Sequence, residues 1–160
     1  MNGALFCDAA IAGLAAALEP SVIGPRLDDA LRDSGLPLLR PIRVLAAEVL
    51  KHKPGRRCSI AYTLQGESGP VRVFAKAFAS ERGATIAGSM ARLVAAVPAE
   101  LLVVPRPFAY APELRLLLTE FVEGEPLAAS LYAASSEVPA RRVAEALVAL
   151  HACAASAARR

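Results

Sequence analysis

The sequence predicts an α+β fold: a five-stranded antiparallel sheet with one packed helix, preceded by N-terminal helices and followed by further helices. Three observations predict it. Residues 44–78 hold three runs of strand character, separated by the turn Pro54-Gly55 and the loop Gly66 to Pro70, which reads as an antiparallel meander. Residues 81–96 set Ile86, Met90, Leu93 and Val94 on one face at helical spacing. Two further short runs, 108–111 and 115–121, follow a stretch punctuated by Pro98, Pro105 and Pro107.

Taken in order, residues 4–18 read as a short amphipathic or buried helix that Pro20 ends, with a turn over Ser21 to Gly24. Pro25 then sits where the first turn of a helix tolerates proline, and Leu27, Ala30 and Leu31 continue at helical spacing until Ser34-Gly35. Pro37 and Pro41 bracket a linker. The first strand is Val44 to Lys53. The second, Cys58 to Gln65, alternates Cys, Ile, Tyr and Leu against Ser, Ala, Thr and Gln. The third is Val71 to Phe78. Gly83 and Gly88 weaken the helix that follows. After a turn at Pro112-Glu113 and the fifth strand come a short helix over 128–134 and a last helix over 139–152. Ser135-Ser136 caps that last helix, and Val143, Leu147 and Leu150 form its apolar stripe.

Composition narrows the function classes. The chain is 55% hydrophobic with 5% aromatic residues and no Trp, a profile opposite to that of disordered chains. The net charge of +3, from 18 basic and 15 acidic residues, is too balanced to indicate a nucleic-acid partner. Cys7, Cys58 and Cys153 are odd in number and widely spaced, which gives neither a disulfide framework nor a metal-ligand pair and points to a reducing, cytoplasmic setting. No apolar run reaches the ~18–20 residues of a membrane span, and Asp8 interrupts the N-terminal run, so neither a membrane partner nor a signal peptide is expected. His52 and His151 are the only histidines, and no Ser-His-Asp or zinc spacing includes them.

Two segments carry the functional reading. One is Val73-Phe74-Ala75-Lys76, an apolar strand with a lone lysine. The other is Thr119-Glu120-Phe121-Val122-Glu123-Gly124-Glu125-Pro126-Leu127, a strand running into an acidic glycine bend. A third, Lys51-His52-Lys53-Pro54-Gly55-Arg56-Arg57, lies at the turn between the first two strands. Together, and in this order, they resemble the nucleotide-binding lobe of the aminoglycoside phosphotransferase and choline kinase-like family, which has the protein-kinase-like fold. The resemblance covers roughly residues 40–155. It implies a helical segment over 1–40, a kinase-like small lobe over 41–122, and a hinge with the start of a large lobe over 123–160.

The resemblance also implies roles. Lys76 would neutralise the phosphates of ATP, with Val73 and Ala75 flanking the adenine; Lys76 would need a local twist or bulge to reach them. Glu120 would contact the adenine edge through its carbonyl and Val122 through its amide. Gly55 and Arg56 would cover the phosphates. The plainer readings are an edge-strand lysine that discourages aggregation, a strand ending in a Gly-Pro turn, and a solvated basic hairpin. Such a lobe pairs its lysine with a helix glutamate, yet the only acidic residue near that helix is Glu81 at its start, and residues 82–99 hold none.

The family's chemistry requires a His-Gly-Asp-x-x-x-x-Asn loop and a second Asp that hold magnesium and position the acceptor hydroxyl. Ala149-Leu150-His151 is similar to the helix end that precedes this loop, and Arg160 follows nine residues later. The aspartates are Asp8, Asp28, Asp29 and Asp33, and the one Asn is Asn2. His151 also suits the negative end of a helix. The expectation is therefore the ATP-binding part of a small-molecule phosphotransferase, truncated before the catalytic loop and inactive alone, with no catalytic or metal-binding residue of its own. The alternative is a non-catalytic nucleotide-binding or interaction module that pairs with a second chain supplying the catalytic half.

Overall fold

The computed structural model describes residues 8–124 and 137–157. The helix expected over 128–134, its Ser135-Ser136 neighbour, Cys7 and the Glu125-Pro126-Leu127 end of the acidic bend lie outside them. The elements are α1 (Leu14–Leu18), α2 (Pro20–Ala30), β1 (Val44–Lys53), β2 (Arg57–Gln65), β3 (Pro70–Phe78), α3 (Arg82–Ala96), β4 (Pro107–Ala111), a 3₁₀ turn (Pro112–Leu114), β5 (Leu116–Glu120) and α4 (Glu137–Ala157). The strands form one antiparallel sheet in the order β1-β2-β3-β5-β4. The α+β class and the five antiparallel strands thus follow the sequence expectation.

The chain divides into two compact units. The first comprises the residues up to Gly88 together with Pro107–Phe121, and so contains the whole sheet, α1, α2 and the start of α3. The second comprises Ser89–Arg106 and the residues from Val122 on.

Period two decides the sheet. In β2 the even residues Cys58, Ile60, Tyr62 and Leu64 are buried, and in β3 the odd residues Val73, Ala75 and Ala77 are. Together with Leu116 and Leu118 of β5 they pack against Ile11, Leu14, Ile23, Leu27 and Leu31, so α1 and α2 lie on this face of the sheet. Tyr62, fully buried, donates its hydroxyl hydrogen to the Ala17 carbonyl at 2.6 Å. That bond satisfies a carbonyl in the last turn of α1. Burial pushes the Tyr62 phenol up and keeps it a donor.

The N-terminal helices depart from the sequence reading. Only Leu14–Leu18 forms the first helix among the described residues, and Ser21 to Gly24 is helical rather than a turn. Pro20 opens α2 instead of closing α1, because Glu19 caps the helix by accepting from the Ser21 N–H and hydroxyl. Pro25 sits inside α2 and forfeits one helical hydrogen bond. The helix continues past it because Ile23, Leu27 and Leu31 recur every four residues and are all buried. Arg40 then ties the linker back by donating to the Leu31 carbonyl and the Asp28 carboxylate, which also accepts from Ile42 N–H.

Two smaller differences have local causes. Arg115 adopts the left-handed conformation (φ 47°) after the 3₁₀ turn, so β5 begins at Leu116. Gly83, expected only to weaken α3, is its one buried residue, and a β-carbon there would strike the rings of Tyr110 and Phe78. Its missing side chain is what lets the helix approach the sheet. In α4 the expected apolar stripe is not fully buried: Leu147 is 48% exposed, and Val143 and Leu150 are half-buried.

Candidate functional site

Antiparallel register sets side chains in rows across the sheet, and Lys76 lies on the face opposite α1 and α2. Its row runs Lys51, Ser59, Lys76, Leu117, Tyr110. The next row is Glu48, Ala61, Phe74, Thr119, and on the other side Lys53 and Arg57 lead to Phe78. Lysines 51 and 53 reach this face because of a β-bulge. Val49 pairs with Ile60 and Lys51 with Ser59, so Leu50 is an extra residue and parity shifts by one. The same shift sends His52 to the opposite face, in register with Cys58.

Lys76 is half-buried, with Nζ 5.6 Å from the centre of the Phe74 ring. Burial lowers its pKa, and the charges of Arg57 and Arg82 lower it further. Arg82 opens α3 and holds its guanidinium 5.7 Å from the Phe78 ring centre. Among the described residues no carboxylate lies within ion-pair distance of Lys76, Arg57 or Arg82. Glu81 does not substitute for the helix glutamate of the resemblance: its charge is felt at Tyr110, whose phenol burial and Glu81 together push up.

The other expected site residues fall as follows. Val73 and Ala75 are fully buried in the α1–α2 core and cannot flank a ligand, and β3 has no bulge against β2 or β5 that would turn Lys76 toward them. The nearest residues that share the Lys76 face are Ser59 and Leu117 in its own row, with Phe74 and Phe78 before and after it on β3. Glu120 ends β5, and its carbonyl accepts from the Thr119 hydroxyl at 3.2 Å. Val122, 46% exposed, belongs to the second unit, where it opens the segment that follows β5.

Gly55 takes a left-handed conformation (φ 65°) in the β1–β2 turn, and its N–H donates to Asp8 Oδ2 at 2.8 Å. The amide expected at a phosphate is thus engaged by a carboxylate. Arg56 is exposed, and its backbone is held at both ends: its N–H donates to Lys53 and its carbonyl accepts from Ala79. Arg57, not Arg56, is the turn residue on the Lys76 face.

The sequence matches no family model and no curated protein. The site therefore rests on its own geometry.

That geometry also groups Asp8, His52 and Cys58, which spacing alone does not suggest. Asp8 Oδ2 lies 2.8 Å from His52 Nε2. Cys58 is fully buried, and burial together with the Asp8 charge pushes its thiol up, which keeps it protonated and disfavours a nucleophilic thiolate. The group is a structural latch between the N-terminal segment and the β1–β2 turn. The Gly55 N–H first, and then His52, hold the Asp8 carboxyl below the usual carboxylate range. A lowered folded pKa adds stability above the unfolded value, about pH 4, and loses it as pH falls through the folded one. Asp8→Ala is therefore expected to lower the melting temperature at neutral pH, with the gap to the parent chain closing below about pH 4. Melts across about pH 2–7, a range that runs about two units below that value and about three above it, check this; a gap that does not change with pH removes the latch.

Among the described residues no group of three His, Cys, Asp or Glu could hold a metal ion, so no protein cage for magnesium is assigned. No helix among them is long and apolar enough to cross a membrane.

Proposed function

We propose that the sheet unit binds a nucleotide, as the ATP-binding part of a small-molecule phosphotransferase of the aminoglycoside phosphotransferase and choline kinase type. One observation carries the reading: Lys76 is half-buried on the sheet face away from α1 and α2, beside two further cations, with no carboxylate within ion-pair distance among the described residues. Placing a charge there without a partner is costly, and a bound phosphate removes the cost. In this reading the half-buried Phe74 offers the apolar surface next to the lysine. Glu120, at the end of β5, supplies a carbonyl to the adenine edge.

The parent reaction would transfer the ATP γ-phosphoryl group to a hydroxyl, by positioning and charge stabilisation. No Asp follows Asp33 in the 160 residues, so binding and not transfer is assigned to this chain. A second reading, a module that pairs with another polypeptide, is favoured by the exposed Leu147 and Val148 on α4.

A thermal melt with and without ATP and magnesium tests the first reading. A nucleotide at ~100 times its dissociation constant adds about 2.7 kcal/mol of stability. The expected result is an upward shift that Lys76→Ala abolishes. A cooperative melt that ATP leaves unmoved sinks the nucleotide reading in favour of the second.

A further inference from the structure

We infer that Arg57 and Arg82 flank Lys76 as a three-cation site for the polyphosphate arm of the ligand, replacing the turn residues Gly55 and Arg56 in that task. The inference rests on the nucleotide reading in that it uses the same sheet face, and it assigns residues which that reading does not.

The geometry comes from three elements. Ser59 stands opposite Lys76 in the β2–β3 ladder, and Arg57 lies two residues along β2 on the same face, diagonal to Lys76. Arg82 reaches the same place from the first position of α3, with its guanidinium near the Phe78 ring, and Phe78 is the next residue on that face of β3. All three belong to one compact unit. Like charges brought this close repel, and each lowers the proton affinity of the lysine between them.

A cation in the first turn of α3 also meets the positive end of the helix; that turn holds no acidic residue, and Glu81, just before it, forms no ion pair with Arg82. The arrangement therefore works against the fold in the absence of an anion. Arginine suits the task, since its planar fork binds a phosphate through two parallel hydrogen bonds. The turn cannot take that role in this conformation: the Gly55 amide is bonded to Asp8, and Arg56 is turned to solvent. Lys51 and Lys53, brought to the face by the bulge, extend the positive field toward the edge of the sheet.

Calorimetric titration with ATP, tripolyphosphate and adenosine tests the assignment on the parent chain, Arg57→Gln, Arg82→Gln and Arg56→Gln. Each of the first two variants is expected to weaken ATP and tripolyphosphate by about tenfold or more, the loss typical of a charged hydrogen bond, while Arg56→Gln changes little. Arg57→Lys, which keeps the charge, retains part of the affinity. Without anions, Arg57→Gln and Arg82→Gln melt at or above the parent temperature, which separates lost binding from lost folding. If ATP binds and both variants bind it as Arg56→Gln does, the three-cation site is overturned and the nucleotide reading stands. If tripolyphosphate binds as tightly as ATP and depends on both arginines, the site stands and the nucleotide reading falls. If neither anion binds, both are overturned.

Discussion

Leu118→Ala is expected to lower the unfolding free energy by about 2–5 kcal/mol, the range for emptying a buried leucine site. Leu118 is fully buried on β5, between β3 and β4. The size of the loss depends on how far the surroundings can close the gap, and here they can close it little. The row through Leu118 runs Ile60, Ala75, Leu118, Ala109, so the side chains directly on either side are alanines, which cannot extend into the space. Above the row, α1 and α2 are held by their own burial and by the Tyr62 bond to Ala17. Urea unfolding would show a lower midpoint at an unchanged slope. Leu147→Ala, at a site 48% exposed, is the comparison and should move stability by no more than about 0.5 kcal/mol. A Leu118→Ala loss as small as that of Leu147→Ala would mean that this face of the sheet is not the core.

Gly13→Ala is expected to cost about 1–3 kcal/mol, for the opposite reason. Its backbone is an ordinary right-handed one (φ −89°), so the penalty is one of space and not of strain. An added β-carbon would stand 2.7 Å from the Leu114 carbonyl oxygen and 2.8 Å from its α-carbon. Those are backbone atoms of the 3₁₀ turn, which cannot swing aside as a side chain could. Either α1 moves off the turn or the turn moves off the sheet, and both expose buried Leu14 and Leu114. Gly35→Ala serves as the control, because Gly35 (φ 72°) has open space around it and would report the left-handed backbone alone. A Gly13→Ala urea midpoint equal to that of the parent chain would refute the contact between α1 and the turn.

Much of the sheet was legible because its signals are local. Val44 to Lys53 is the strand in both readings, and the alternation from Cys58 to Leu64 survives as the buried face of β2. Glycine and proline mark the turns, and neither depends on distant contacts. What failed was non-local. Pro25 reads as a helix start, yet burial of Ile23 and Leu27 carries α2 through it. Val73, Ala75 and Lys76 read as one site, yet adjacent residues on a strand face opposite ways, and no bulge intervenes in β3.

Arg57 was within reach of sequence reasoning, since it shares parity with Ser59 and Ser59 pairs with Lys76. Arg82 was not, because its approach depends on where α3 lies, and that depends on Gly83 making room. Asp8 sits 47 residues from the amide it binds, and no spacing rule connects them.

The extra residue at Leu50 has a consequence of its own. Beyond it, the side each residue of β1 shows is a matter of arithmetic modulo two, and the bulge adds one to the count. Loss of a single codon there would leave every downstream amino acid unchanged and exchange their audience: the imidazole would turn outward among the cations, and two ammonium groups would turn inward toward a carboxylate and a thiol. The end of this strand is thus specified less by which residues it contains than by how many precede them.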